Sequence, residues 1–325
     1  MVALCISCSK DFDSNADYKD ATIVYAVLNG DESTHYVKIY KGFLTSGDAE
    51  VAAQVYDSLY YRDELTVTME EYVNGHLSAS WPLDTITEIP VEEGDFASPK
   101  QKVYAFSRTL NPEAEYKIVI VNNETGRTIT ARTRIVGEFM INSPSARLLN
   151  IANATPNPFK VSAAANAVSY EIFQNFYYIE RNKTTHEEVV KCVRRRVNNA
   201  PISGLSTKYT PSQLYTAIAA NVKPDPTVDR YISVDSCVKF EVWAVNEPVA
   251  YYVQSMQTTG SVVMDRQVYT NIEAEDGLVR GVFGSRASAV SWHGFSPTAQ
   301  DELVRGSVTG KLGFHYAHEY LELDD

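Results

Sequence analysis

Leu65-Thr-Val-Thr-Met-Glu-Glu-Tyr72 and His76-Leu-Ser-Ala-Ser-Trp-Pro-Leu83 stand on either side of Asn74-Gly75. Asn-Gly is the strongest short-range signal for a two-residue hairpin turn, because both turn positions need positive φ. The flanks therefore read as two antiparallel strands, and the surrounding sequence continues the pattern. Upstream, Thr22-Ile-Val-Tyr-Ala-Val-Leu28 is an apolar run, and Thr34-His-Tyr-Val-Lys-Ile-Tyr40 alternates apolar with polar at period 2. From Ala49 to Tyr61 the period changes: Val51, Val55, Ser58 and Leu59 recur at helical spacing behind Asp48, a capping residue. Downstream, Val103-Tyr-Ala-Phe106 is followed by a second hairpin. Its strands are Tyr116-Lys-Ile-Val-Ile-Val121 and Thr128-Ile-Thr-Ala-Arg-Thr-Arg-Ile-Val136, around Asn122 to Arg127.

Seven strands between residues 22 and 136 match the scale of an immunoglobulin- or fibronectin-III-like β-sandwich. The Cys…Trp…Cys signature of true immunoglobulin domains is absent, because the cysteines fall at 5, 8, 192 and 237. Turn-rich stretches at Asn142-Ser-Pro-Ser145 and Asn153-Ala-Thr-Pro-Asn-Pro158 mark a boundary. Beyond it, Val168–Ile179 and Val189–Val197 read as a long hairpin, and Asp235–Val245, Leu278–Phe283 and Ala289–His293 as further strands. Helices are expected from Thr210-Pro211 to Ala220, over Glu247–Thr258, and over Ser296–Arg305. Strands and helices without regular alternation point to α+β, not a parallel sheet. The expected architecture is mainly β / α+β. Residues 1–17 form an acidic tether, 18–138 the sandwich and 139–325 an α+β domain.

At 325 residues the chain is long enough for two domains. Lys and Arg number 29 and Asp and Glu 41, a net charge of −12, which argues against a nucleic-acid partner. No run approaches the 18 apolar residues of a membrane-spanning helix. Met1-Val-Ala-Leu-Cys-Ile-Ser7 is apolar, Cys8 follows the small Ser7, and the chain then turns polar. This is similar to the end of a bacterial lipoprotein signal, so Cys8 is the candidate lipidation site and anchors a soluble domain without any spanning helix. The apolar stretch is shorter than a full signal, no basic region precedes it, and Cys5 stands where the lipobox usually has Leu. Cys5-Ile-Ser-Cys8 lacks both a βαβ context for redox chemistry and a second C-x-x-C for zinc. Cys192 and Cys237 both fall in strand-like segments; a disulfide and two separate buried thiols are both open.

The order of motifs resembles a known family. A lipobox-like Cys8 precedes a sandwich whose last hairpin runs Tyr116-x-Ile118 to Ala131-x-Thr133-x-Ile135. Far downstream come Val268-Tyr-Thr-Asn-Ile272, Gly277-Leu278 and Gly281-Val-Phe-Gly-Ser-Arg286. This resembles uncharacterised outer-membrane lipoproteins of Bacteroidetes with an N-terminal sandwich and a C-terminal α+β region. Their usual Gly-Gly-Leu-Gly-Ile-Phe is replaced here, with an insertion, by Glu275 to Phe283. Lys10-Asp11 after Cys8 resembles the export signal of surface-exposed lipoproteins in such bacteria. The resemblance implies a surface-exposed, lipid-anchored protein of the bacterial outer membrane, a partner of an outer-membrane transporter or other surface protein. It carries over no catalytic or binding residues.

Motifs for chemistry are sparse. Asp11, Asp13, Asn15 and Asp17 mimic half a calcium loop, but Ala16 and Thr22 replace its required Gly and Glu. His315-x-x-His318 with Glu319 or Glu322 is a weak metal pattern, and Gly306 to Leu312 fails as a phosphate loop in both spacing and its last residue. Glu70-Glu71, Glu92-Glu93 and Glu187-Glu188 are adjacent pairs that point to opposite strand faces, not to one cleft. In Arg194-Arg195-Arg196, alternation sends Arg195 away from its neighbours. No cofactor or metal is expected. Tyr, at 21 residues, is the one positive feature, and Tyr60-Tyr61, Phe176-Tyr177-Tyr178 and Tyr251-Tyr252 are candidate binding aromatics. A surface binding or accessory protein is the leading expectation. A hydrolase of envelope or polysaccharide polymers and a structural or adhesive surface protein are the alternatives.

Overall fold

The computed structural model of the chain describes residues 21–42, 59–90, 100–198, 201–233, 235–257, 268–321 and 323. Cys8 and most of the helix expected over 49–61 lie outside them. In chain order the first strands are β1 (Ala21–Asn29), β2 (Thr34–Gly42), β3 (Leu65–Val73), β4 (His76–Pro82), β5 (Asp84–Pro90), β6 (Lys100–Ser107), β7 (Glu115–Asn122) and β8 (Thr128–Arg134). Short strands follow at β9 (Ile141–Ser143), β10 (Leu148–Leu149) and β11 (Asn157–Val161), then the long β12 (Ser169–Asn182), β13 (Glu188–Arg196) and β14 (Ser206–Tyr209). Helix α1 (Gln213–Asn221), β15 (Val228–Tyr231), β16 (Val238–Val245) and α2 (Glu247–Gln257) precede β17 (Glu273–Ala274) and β18 (Val279–Phe295). Helices α3 (Pro297–Arg305) and α4 (Ala317–Leu321) end the described chain. The fold is mainly β, of α+β type.

The N-terminal half is a two-sheet sandwich. One sheet runs β1-β2-β6-β5 and the other β8-β7-β3-β4, so the chain alternates between sheets in the order of an immunoglobulin-like Greek key. Alternation explains the packing: Val24, Ala26 and Leu28 of β1 face Met69, Ile118 and Ile120 across one buried core. The Asn74-Gly75 turn forms as its sequence requires, with φ of 51° and 79°. The strand expected from His76 forms as β4 and ends at Pro82. At buried Leu83 the chain leaves one sheet and β5 begins in the other, an element hidden in the sequence between Pro82 and Pro90. Tyr116, at the start of β7, accepts a hydrogen bond on its hydroxyl from the Asn111 amide at 2.7 Å and donates to Glu71 at 2.8 Å. That local lock at the corner between strands is a recurring feature of such sandwiches.

Chain from beyond residue 270 also belongs to this sandwich. Leu278–Phe283 and Ala289–His293, expected as two strands, are parts of one 17-residue strand, β18. Its first half pairs parallel with β1, from Thr22↔Val279 to Asn29↔Arg286, while β17 pairs with β8. Ile272, Val279 and Phe283 enter the sandwich core. Arg127 fixes the junction, donating to Thr22 Oγ1, Leu278 O and the Asp276 carboxylate.

The second half of β18 pairs antiparallel with β16, which pairs with β12, which pairs with β13. A ten-stranded sheet thus runs through both halves of the molecule. On its inner side in the C-terminal half, Ile172, Phe176, Phe240 and Val242 pack against Phe159 of β11, Leu214 and Ile218 of α1, and Leu303 of α3. Helix α1 starts about one turn later than expected: Thr210, Pro211 and Ser212 accept from Gln213, Leu214 and Tyr215 in a tight first turn. Helix α3 is capped as expected, the Ala299 amide donating to Ser296 Oγ at 3.3 Å.

Candidate functional site

The outer face of β13-β12-β16-β18 carries the candidate site. Antiparallel sheets with one solvated face usually present polar residues there. Here the register instead lines up aromatic and charged side chains in rows. Arg194, Asn175, Lys239 and Trp292 form one row; Arg196, Phe173, Glu241 and Val290 form the next; Glu171, Trp243 and Ser288 form a third. Strict alternation makes this face, since Val238, Phe240, Val242 and Ala244 point inward while Lys239, Glu241 and Trp243 point out. Helix α2 covers the outer side only farther along β18, at Gly284, where a Cβ would stand 2.3 Å from Val249.

Trp292 is 48% exposed and Val290 52%. Tyr177 lies beside Trp292, with ring centroids 5.3 Å apart and planes inclined at 37°. The Lys239 ammonium sits 5.8 Å from the Trp292 ring, and the Arg194 guanidinium stacks 4.0 Å from Phe173. Arg286 covers Trp243 at 4.5 Å. The charges are largely matched: Arg194 with Glu241 at 3.5 Å, Arg196 with Glu171, and Arg286 with Glu32 at 3.6 Å. Asn175, only 2% exposed, lies under this layer and donates to Glu241 at 3.2 Å. Lys239 has no carboxylate within ion-pair distance among the described residues. A single exposed apolar side chain is ordinary on a protein surface, whereas a cluster of rings rimmed by charge marks a contact surface.

The other candidate aromatics are placed differently. Tyr60 and Tyr61 are both buried, at 8% and 5%, so neither offers a ring to solvent; the Tyr61 hydroxyl is 2.7 Å from Thr22 Oγ1. Both follow Leu59, a helical residue, and precede β3, so strand alternation does not apply to them. Tyr178 is buried on the inner face, stacked with Phe176. Tyr251 is 47% exposed on α2, and half-buried Tyr252 reaches back to the Tyr25 hydroxyl at 2.7 Å. Tyr177 alone of the six joins the open face. Trp292, Phe173 and Trp243 were not singled out in the sequence. Their signal is a large ring on the polar side of an alternating strand.

Cys192 and Cys237 form no disulfide; both thiols are free. Tyr177 lies between them, paired with Cys192 on one side and donating its amide to Cys237 O at 2.8 Å on the other. Two strand spacings, about 10 Å, exceed the reach of a disulfide. Burial pushes the Cys237 thiol up to about 12, and Cys192 is raised mainly by desolvation as well. Native alkylation followed by peptide mapping is therefore expected to label Cys192 and leave Cys237 unlabelled until denaturant is added. Labelling of both at equal rates would contradict this placement.

Arg195 faces inward, as its alternation required. It donates to Gln174 at 2.7 Å and Gln213 at 3.2 Å, and burial pushes its guanidinium down to about 10. His315 and His318 do not converge. His315 bridges Asp229 at 2.9 Å and Glu319 at 2.8 Å, while His318 stacks on Tyr316. Among the described residues, no group of three or more His, Cys, Asp or Glu is placed to hold a metal ion. No helix among them is long and apolar enough to cross a membrane. No protein-family model matches the chain, and no curated protein sequence matches it.

Proposed function

We propose that this protein is a lipid-anchored cell-surface binding module. Cys8 holds it at a bacterial outer membrane, where it serves as an accessory to a transporter or other surface protein. Its contact surface is the outer face of β13-β12-β16-β18. The observation that carries this reading is the exposed Trp292 packed beside half-buried Tyr177 on a sheet face that no described segment covers. Rigid aromatic side chains lose little entropy on binding and dominate contact energies. The anchor rests on the lipobox-like sequence ending at Cys8 and on the resemblance to Bacteroidetes lipoproteins.

Each half of the reading has its own test. Mass spectrometry of the Cys8 peptide from native membranes is expected to find acyl chains; an unmodified Cys8 overturns the anchor. The Tyr177→Ala, Trp292→Ala double variant removes the exposed Trp292 ring and the half-buried Tyr177 ring and is expected to stay folded with a modestly lower Tm. Its affinity for a ligand of this face should fall by about tenfold or more, the usual cost of losing an aromatic hot spot. Screening both forms against immobilised polysaccharides and outer-membrane fractions measures this. Unchanged retention across the whole screen would remove the face from consideration.

A further inference from the structure

We infer that the open face takes an acidic saccharide, a uronic-acid-bearing glycan whose ring stacks on Trp292 and Tyr177 with its carboxylate on Lys239. This rests on the binding-module reading and names the ligand class of the same face. The first argument is charge. The chain carries a net charge of −12, yet Arg194, Arg196 and Arg286 occupy this face and each has its own carboxylate. Lys239 is left as a cation without an ion-pair partner among the described residues, held beside the exposed Trp292 ring. A ligand carboxylate placed there completes the pairing with a charge-assisted bond.

The second argument is shape and hydrogen bonding. A pyranose ring has an apolar C–H face that matches an aromatic ring and a rim of hydroxyls that need both donors and acceptors. Beside the Tyr177–Trp292 pair, the face offers Arg194 and Glu241, paired with each other and braced from below by buried Asn175. An acidic peptide would use Lys239 equally. The rings, however, rise from β12 and β18 on either side of β16 and meet with centroids 5.3 Å apart, an open surface suited to flat rings more than to the deep side-chain pockets that anchor peptides. The Lys239 ammonium stands over Trp292, 5.8 Å from its ring centroid, within reach of a carboxylate on a sugar bound against the pair.

The test uses the full chain and three probes: an oligogalacturonate, the same oligomer with its carboxylates reduced to alcohols, and a polyglutamate peptide. Titration calorimetry is expected to give binding to the oligogalacturonate about tenfold tighter than to its reduced form. Lys239→Met keeps the stem and should abolish that preference, while Trp292→Ala should weaken both saccharides by a similar factor. Equal affinity for the two oligomers, lost in Trp292→Ala, would overturn the acidic specificity and leave the binding face standing. Binding of polyglutamate alone, sensitive to both substitutions, would overturn the saccharide in favour of a peptide. Saccharide binding indifferent to Trp292 would overturn the inference and also count against the face. No binding to any probe would overturn the inference and leave the face to the broader screen.

Discussion

Gly281→Ala is expected to lower the stability of the whole chain by more than about 3 kcal/mol, read from denaturant unfolding. Two independent costs fall on this position. Its φ is +103°, outside the ordinary left-handed well, so any side chain adds backbone strain. A Cβ there would also stand 1.9 Å from Val24 O and 2.8 Å from Val24 C, backbone atoms that cannot rotate away. Val24 is the register partner of Gly281 in the parallel pair β1–β18 and is itself fully buried in the sandwich core. Relieving the overlap therefore means parting the two strands. Gly75→Ala separates the two costs: φ is +79° there, but nothing lies within 4 Å of the added carbon. That variant should lose only about 1 kcal/mol. Comparable losses for the two variants would show that the close approach of β1 to β18 contributes little.

The contrast between these glycines also shows what could be read from the residues alone. Asn74-Gly75 was legible because a two-residue turn is a local event that its own dipeptide specifies. Gly284 and Ser285 carry the same turn-forming chemistry and fall in the gap between the strands expected over Leu278–Phe283 and Ala289–His293, while Gly281 falls inside the first of them. Their actual role depends on β1, which lies more than two hundred residues earlier in the chain and supplies the parallel partner. Small residues there admit a neighbouring backbone and helix α2 instead of turning the chain. The candidate face divided in the same way. Tyr177 was visible within an aromatic run, and Tyr178 next to it points inward as alternation demands. Trp243 stands between Val242 and Ala244 and Trp292 between Ser291 and His293, so neither belongs to an aromatic run. Their common face appears only when three strand registers place Glu171, Phe173, Lys239 and Val290 beside them.

Asn246→Ala is expected to cost about 3 kcal/mol or more, because one side chain satisfies three groups at the junction of the two halves. Asn246 is 4% exposed. Its Nδ2 donates to Thr133 Oγ1 at 2.7 Å and Arg134 O at 3.1 Å, while its Oδ1 accepts from the Ser285 amide at 3.1 Å. The Ser285 hydroxyl in turn accepts from the Val136 amide at 2.9 Å. These contacts tie the end of β8 to the midpoint of β18, where that strand passes from β1 to β16. Alanine leaves the buried Ser285 amide and the part-buried Arg134 carbonyl without this partner, the buried amide alone costing about 1–3 kcal/mol. Asn246→Asp keeps the shape but turns a second acceptor toward Arg134 O, so it should be nearly as damaging at neutral pH. The direct readout is hydrogen exchange: the Ser285 amide should lose protection in Asn246→Ala while the Ile118 and Ile120 amides, deep in the sandwich, keep more of theirs. If Ser285 exchanges no faster than in the parent, the two halves are joined through the strand pairing alone, and the buried amide network is not what holds them in register.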